Sequence, residues 1–113
     1  MRAFEEGQIV WLNFPFSDTS DEKNRPVFIW EDLGDELVVS MITSHIRGGV
    51  WEVPIRPDIH NNLTKQSVIR IDHTIAVSKT KLTSITPGEA GFANPFIVIA
   101  AKEKMEIWLS RTL

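Results

Sequence analysis

Residues 7–16 read GQIVWLNFPF, and residues 24–30 read NRPVFIW. Both runs are rich in β-branched and aromatic residues, and the polar residues 17–24 connect them. Apolar runs of this length, bounded by turn signals, are typical of barrel strands, in which either face could be buried. They predict a first strand over residues 8–14 and a second over residues 25–31, joined by a loop over residues 17–24.

The rest of the chain continues the pattern of short strands. The turn around Gly34 predicts a hairpin between the second strand and a third strand over residues 36–43. Further strands are expected over residues 50–55, 66–71 and 75–78, and Thr86-Pro87-Gly88 should break the chain.

One helix is expected near the end of the chain. Asn94 is a favoured N-cap residue, and Pro95 is tolerated at the first helical position because its missing N–H would have no partner there. An apolar stripe follows at helical spacing. Its members are Val98, Ala101, Met105, Trp108 and Leu109. The run of residues 96–101 would also fit a strand, so the start of this helix is left open. The predicted fold is mostly β, a small antiparallel barrel or curved sheet closed by a C-terminal helix.

Length and composition set bounds on the class of protein. The 113 residues fit one domain over residues 1–113. The chain has no cysteine, so no disulfide and no cysteine nucleophile is expected. Its longest apolar run, residues 96–101, is too short to cross a bilayer, and no apolar signal region follows Arg2. We therefore expect a soluble, cytoplasmic protein without membrane contact.

The charge of the chain argues against a generic duplex-binding protein. Its formal net charge is −3 and its pI is about 5.6, whereas proteins that bind duplexes non-specifically are usually basic. A nucleic-acid contact would need a local basic patch in the middle of the chain. The basic residues there are Lys23, Arg25, Arg47, Arg56, Lys65 and Arg70. A mixed, solvated surface explains the same charges equally well.

The most useful spacing in the chain relates an arginine to a threonine. Arg25 precedes Gly34 by nine residues and Thr43 follows it by nine, so an antiparallel hairpin brings the two together. A guanidinium is permanently charged and matches phosphate, and a hydroxyl can donate to a phosphate oxygen. The pair could therefore bind a phosphodiester and stabilise its transition state. Alternatively, Arg25 is a surface residue paired with Asp21 or Glu22, and Thr43 only ends a strand.

Other side chains are weaker candidates for the same site. His45 could act as a general acid or base, and Asn13 could read a base edge. The candidates for contact with nucleic acid are Asn13, Lys23, Ser44, His45, Lys65, Ser67 and Arg70. The four tryptophans could stack on bases of single-stranded RNA, but they could equally fill a core or a dimer interface. No spacing of histidines or acids suggests a metal site, so no metal or cofactor is expected.

Four segments together resemble the MazF/PemK family of type II toxin–antitoxin toxins. They are GQIVWLNFP over residues 7–15, KNRPV over 23–27, ITS over 42–44 and LTKQSVIR over 63–70. They occur in the family's order and at about its spacing, and the similarity covers residues 4 to about 82.

The resemblance implies a fold, an activity and partners. The fold would be an SH3-like small barrel of the MazF/PemK (CcdB-like) type with a C-terminal helix. The activity would be sequence-specific, metal-independent cleavage of single-stranded RNA, with Arg25 and Thr43 as the catalytic residues. Attack by the ribose 2′-hydroxyl would leave a 2′,3′-cyclic phosphate. The protein would form a homodimer and bind a cognate antitoxin, through which it could contact operator DNA. The antitoxin would occupy the RNA groove and displace the loop over residues 17–24.

The sequence also departs from the family, and alternatives remain. Asn62 stands where the family usually has glycine, and residues 83–94 do not match the usual approach to the last helix. A gyrase-inhibiting toxin of the same fold is one alternative, although the residues after Trp108 fit it poorly. A non-catalytic SH3-like binding module is the other, since fold alone does not determine activity.

Overall fold

The computed structural model of the protein describes residues 4–15, 22–83 and 89–111. Six strands form one sheet in the order β4-β5-β3-β2-β1-β6, and every neighbouring pair is antiparallel. The strands are β1 (Gln8–Pro15), β2 (Glu22–Asp32), β3 (Glu36–Thr43), β4 (Glu52–Ile55), β5 (Ser67–Ser78) and β6 (Gly91–Phe92). A short 3₁₀ helix (Lys79–Lys81) follows β5, and one helix, α1 (Pro95–Ser110), follows β6.

The expected fold class is confirmed. The sheet curls into a half-barrel, and α1 is the C-terminal helix. Within the described residues, no helix has the length and apolar character needed to span a membrane.

Both faces of the sheet carry apolar side chains. Successive side chains in a strand point to opposite faces, so an uninterrupted apolar run supplies both faces. Ile9 and Phe28 are paired across β1 and β2, and both belong to the cluster that packs against α1. The next pair, Val10 and Val27, belongs to a second cluster on the other face. This explains why the apolar runs of β1 and β2 show no simple alternation in the sequence.

Helix α1 begins where the sequence predicts. The Asn94 side chain accepts a hydrogen bond from the N–H of Phe96 at 2.8 Å, and Pro95 is the first helical residue. The alternative of a strand over residues 96–101 is wrong. Ala101 is fully buried, and Val98, Met105 and Trp108 pack against the core. Leu109 was expected in the same stripe, but it is 54% exposed, so the buried stripe ends at Trp108.

The boundaries of two strands differ from the prediction. β2 begins at Glu22 rather than Arg25, because residues 22–24 pair with residues 13–15 of β1 despite their polar side chains. Arg25 is therefore the fourth residue of β2. Residues 22–24 of the expected loop therefore belong to β2, and residues 16–21 lie outside the described part of the chain. β4 begins at Glu52, two residues later than expected.

β5 was expected as two short strands but is one strand of 12 residues. Ser40 pairs with Thr74 and Met41 pairs with Arg70, so residues 71–73 form an insertion in the ladder. Hydrogen bonds join the two strands beside this insertion: Trp30 Nε1 donates to Oγ of the buried Ser40, which is hydrogen-bonded to Oγ1 of the half-buried Thr74. The polar residues of the insertion gave the appearance of a break. β6 was not expected, and the predicted break at residues 86–88 lies outside the described residues.

Candidate active site

A pocket of about 320 Å³ lies where the start of β2, the end of β3 and the segment between β4 and β5 come together. Its lining residues are Trp11, Asn24, Arg25, Pro26, Ile42, Thr43, Ser44, Leu63, Thr64, Lys65 and Ser67. Among these described residues, Arg25 and Lys65 are cationic and none carries a carboxylate. Such a pocket favours an anionic group, and its apolar members provide walls for a planar or apolar group beside the charge.

Arg25 and Thr43 are brought to this pocket by the register of the β2–β3 hairpin. The ladder pairs Ile29 with Val39 and Val27 with Met41, and Arg25 and Thr43 are each two residues further on. The ladder shifts by one residue between Ile29 and Glu31, nearer the turn. This β-bulge leaves the register beside the pocket symmetrical about Gly34, as the sequence spacing assumed.

Pro26 explains where that ladder ends. A proline has no N–H to donate, so it limits the pairing of a strand. Pro26 still pairs in register with Trp11 of β1, but the ladder with β3 stops at Val27. The described β2–β3 ladder therefore ends at Val27 and Met41, two residues short of Arg25 and Thr43, which line the pocket.

Thr43 is half-buried, and its hydroxyl is partly occupied. Thr43 Oγ1 accepts a hydrogen bond from the backbone N–H of His45 at 3.1 Å. A hydroxyl has one proton to donate in addition to its acceptor lone pairs. The hydrogen bond from His45 uses only a lone pair, so Thr43 can donate its proton to a ligand in the pocket.

The segment before β5 supplies the opposite part of the lining. Lys65 is exposed, whereas Ser67 is buried and its Oγ donates to the carbonyl oxygen of Lys65 at 2.9 Å. Asn62 has a φ of 61°, in the left-handed region that favours glycine and tolerates asparagine. The asparagine at this position therefore adopts a backbone conformation that glycine would also adopt readily.

The structure brings five of the predicted site residues to one pocket, and three more, Asn13, His45 and Arg70, lie outside its lining. The five are Arg25, Thr43, Ser44, Lys65 and Ser67. Asn13 pairs with Asn24, which does line the pocket, and His45 is exposed next to Ser44. The side chain of Lys23 lies outside the described part of the structure. The functional roles of these residues stay predictions.

Arg70 lies outside the lining and forms an ion pair instead. Its Nε donates to Asp72 Oδ1 at 3.0 Å and its Nη2 donates to Asp72 Oδ2 at 2.8 Å. These hydrogen bonds lower the pKa of the Asp72 carboxyl and raise the pKa of Arg70. The ion pair braces the insertion in β5, and it engages the guanidinium that was expected to face phosphate.

Sequence reasoning did not assign several lining residues to the site. They are Trp11, Asn24, Pro26, Ile42, Leu63 and Thr64. Leu63 and Thr64 directly precede Lys65, and Asn24 directly precedes Arg25, so adjacency was the available signal. Asn24 Oδ1 is hydrogen-bonded to Thr83 Oγ1 at 2.8 Å, a contact over 59 residues that no local pattern predicts.

The described residues contain no group of three or more histidine, aspartate or glutamate side chains that could hold a metal ion. The side chains that meet at the pocket are instead a guanidinium, an ammonium and hydroxyls. These groups bind and polarise an oxyanion through charge and hydrogen bonds.

Comparison with known proteins identifies the family. A family model described as PemK-like, MazF-like toxin of type II toxin-antitoxin system matches residues 5–106. A search of curated protein sequences finds no match.

Several solved structures share the fold. The Mycobacterium tuberculosis toxin MazF-mt6 is 24% identical, with a TM-score of 0.67 over 87% of this chain and 91% of that chain. MazF from Deinococcus radiodurans is 19% identical, with a TM-score of 0.72 over 97% and 99% of the two chains. An endoribonuclease solved with its cognate antitoxin, from mycobacterial species, is 16% identical, with a TM-score of 0.72 over 96% of each chain.

The family match spans nearly the whole chain, and the curled sheet with its C-terminal helix is the fold of these structures. This protein is a member of the PemK-like, MazF-like toxin family of type II toxin–antitoxin systems.

Proposed function

We propose that this toxin is an endoribonuclease that cleaves single-stranded RNA at short specific sequences without a metal ion. The observation that carries the proposal is that Arg25 and Thr43 line one pocket. They lie on the two strands of the β2–β3 hairpin, at the end opposite its turn. Family membership supports it, and so does the similarity to a solved endoribonuclease.

The proposed reaction is a transesterification at one phosphorus atom. The ribose 2′-oxygen forms a new bond to the adjacent phosphorus while the bond to the 5′-oxygen of the next nucleotide breaks. The proton of the 2′-hydroxyl is lost and the departing 5′-oxygen gains one, so the products are a 2′,3′-cyclic phosphate and a 5′-hydroxyl. Negative charge builds up on the phosphate oxygens in the transition state.

Arg25 and Thr43 would stabilise that charge. The guanidinium of Arg25 is a planar cation that offers several donors to the phosphate oxygens. The hydroxyl of Thr43 would donate a hydrogen bond to a phosphate oxygen, because the hydrogen bond from the N–H of His45 uses only a lone pair of Oγ1. Fixed donors of this kind need no reorganisation during the reaction, which is the main source of their effect.

The other lining residues would hold the RNA around the scissile phosphate. Lys65 is an exposed cation suited to a neighbouring phosphate. Trp11 is half-buried in the wall of the pocket and has the planar surface on which an unstacked base can pack. Some of these contacts must reach base edges, so cleavage should show a short sequence preference.

An antitoxin segment would be the second occupant of the pocket. A related endoribonuclease has been solved with its antitoxin, and a cationic pocket suits an acidic or extended segment. The test is whether the purified antitoxin protects RNA from cleavage and whether added RNA relieves that inhibition.

A second copy of the chain would cover the outer face of α1. Phe96 is 81% exposed and Ile107 is 58% exposed on this helix, and Ile99 lies between them. We expect a dimer by light scattering, and we expect Ile107→Glu to shift the protein toward monomer. A monomeric wild-type protein would contradict this part of the proposal.

The central test uses a long single-stranded RNA in the presence of EDTA. The wild-type protein should give discrete cuts, and sequencing of the new ends should show a common short motif. Arg25→Ala should lose these cuts, while the control Lys102→Ala, at an exposed cation on α1 outside the pocket lining, should keep them.

Other outcomes would contradict the proposal. Random fragmentation, or cuts that persist in Arg25→Ala, would show that the site or its specificity is wrong. Inhibition of DNA supercoiling without RNA cleavage would favour the gyrase-inhibiting class, and no effect in either assay would favour a binding module.

A further inference from the structure

The loop that connects β4 to β5, residues 56–66, is organised by a buried amide. The side chain of Asn61 is completely buried, and a buried amide normally has its hydrogen bonds satisfied. Asn61 Oδ1 accepts from the backbone N–H groups of Asp58 and Leu63 at 3.2 and 3.0 Å. Asn61 Nδ2 donates to the carbonyl oxygen of Arg56 at 2.8 Å. The Asn61 side chain is therefore hydrogen-bonded to the backbone of three residues of the loop.

Further contacts within the loop fix its direction. The Asp58 carboxylate accepts from the backbone N–H groups of His60 and Asn61 at 2.8 and 2.9 Å. Asn62 then adopts its left-handed conformation, and Leu63 enters the core with 7% of its surface exposed. The loop leads directly to Thr64 and Lys65 in the pocket lining.

Gly91 and Phe92, which form β6, contact the same loop. The N–H of Phe92 donates to the carbonyl oxygen of His60 at 2.8 Å. A Cβ atom on Gly91 would lie 2.7 Å from the carbonyl carbon and oxygen of Asn61 and 2.9 Å from the carbonyl oxygen of His60. These are backbone atoms, so a side chain at position 91 could be accommodated only by moving the loop.

We propose that Asn61 and Gly91 are positioning residues for the substrate, a role that rests on the function proposed above. They hold residues 56–66 so that Thr64 and Lys65 line the same pocket as Arg25 and Thr43. Neither Asn61 nor Gly91 lines the pocket, so each acts on RNA through the loop. The quantity that they control is RNA affinity, because the loop carries the cation of Lys65 and not the Arg25–Thr43 pair.

A double-mutant cycle between Gly91 and Lys65 tests the proposal. The cleavage site is mapped first, and an oligonucleotide with a 2′-deoxyribose at the reacting position then reports Kd by fluorescence anisotropy. Gly91→Ala and Lys65→Ala should each raise Kd about fivefold, and the double variant should bind within about twofold of the weaker single variant. Residues that act through one contact typically show coupling of about 0.5–3 kcal/mol, on the order of 2- to 150-fold. The kcat of Gly91→Ala on unmodified RNA should stay within about twofold of the wild-type value.

Two further variants separate positioning from a general loss of stability. Asn61→Ser shortens the buried side chain and replaces its amide with a hydroxyl, and it should reproduce the coupling with Lys65 if Gly91→Ala does not fold. Asp32→Ala lowers stability at a site away from the pocket lining and should leave Kd unchanged.

Each outcome decides the matter. Independent, multiplicative effects on Kd, or a raised Kd in Asp32→Ala, would overturn the positioning role while leaving the nuclease proposal intact. A wild-type protein that neither cleaves nor binds RNA would overturn both proposals together.

Discussion

Arg25 and Thr43 hold equivalent positions on the two strands of one hairpin, each two residues beyond the last paired residues, Val27 and Met41. A cation and a hydroxyl are thereby presented side by side by neighbouring strands, and both line the same pocket. Groups held on rigid strands lose little entropy when they meet a ligand, so they are well suited to stabilise one transition state.

Replacement of Thr43 by valine should reduce kcat for RNA cleavage on the order of 100-fold, the usual cost of losing one transition-state donor. Valine keeps the β-branched shape and removes the hydroxyl group. KM should change little, because the hydroxyl is proposed to act mainly in the transition state. The measurement is the initial rate on an oligonucleotide that contains the mapped cleavage motif.

Thr43→Ser is the matched control for this substitution. Serine retains the hydroxyl and should recover most of the wild-type kcat. If Thr43→Val cleaves as fast as the wild-type protein, the hydroxyl has no role in the reaction.

Asp32→Ala should lower the free energy of unfolding by about 3 kcal/mol, because it leaves partners of a buried charge unsatisfied. Asp32 is 3% exposed and accepts hydrogen bonds from Lys79 Nζ at 2.9 Å, Phe4 N at 2.9 Å and Gly34 N at 2.8 Å. These contacts join the start of the chain, the hairpin turn and the 3₁₀ helix. Urea unfolding followed by tryptophan fluorescence measures the change.

Glu36→Ala, at an exposed carboxylate beside the same turn, serves as the control and should cost less than about 0.5 kcal/mol. If the two variants lose the same free energy of unfolding, the hydrogen bonds of Asp32 do not contribute the expected stability.

The Arg70–Asp72 ion pair should make part of the stability depend on acid pH. The hydrogen bonds from Arg70 lower the pKa of the Asp72 carboxyl below its ordinary range. A carboxyl with a lowered folded-state pKa contributes its full stability above the unfolded-state pKa, about 3.9, and loses it as pH falls through the folded-state value. Asp72→Asn should therefore be less stable than the wild-type protein at pH 7, by up to about 1 kcal/mol for this partly exposed pair.

The difference in free energy of unfolding between the wild-type protein and Asp72→Asn should stay constant from pH 7 to about pH 5 and disappear below about pH 4. Urea unfolding at a series of pH values measures it. A gap that persists unchanged at pH 3 would mean that the Asp72 charge is not the cause of the difference.

The sequence contains enough information for the hairpin and the helix but not for every strand boundary. Gly34 marks the turn between β2 and β3, and Asn94-Pro95 marks the start of α1, because both are local signals of backbone conformation. The start of β2 at Glu22 depends on pairing with β1, so polar side chains that suggest a loop are overruled by tertiary context. β5 is continuous through its pairing with β3, which includes the hydrogen bond between Ser40 and Thr74, over 34 residues.

The candidate site follows the same division. Arg25 and Thr43 could be related from the sequence because a hairpin links them through simple symmetry about Gly34. Asn61 could not be recognised, because its role depends on burial of its amide and on the close approach of Gly91. Arg70 was expected to face phosphate, but it forms an ion pair with Asp72 instead. The two residues are close in the sequence, yet the charge pattern alone did not show that they would pair.

The most direct test of the central claim is a double-mutant cycle on kcat/KM with Arg25→Ala, Thr43→Val and the double variant, all checked for wild-type folding by circular dichroism. If the two side chains act on one phosphorus atom, their effects are not additive, and the double variant should be little slower than the slower single variant. If the losses of the two single variants multiply in the double variant, Arg25 and Thr43 act independently and the account is contradicted.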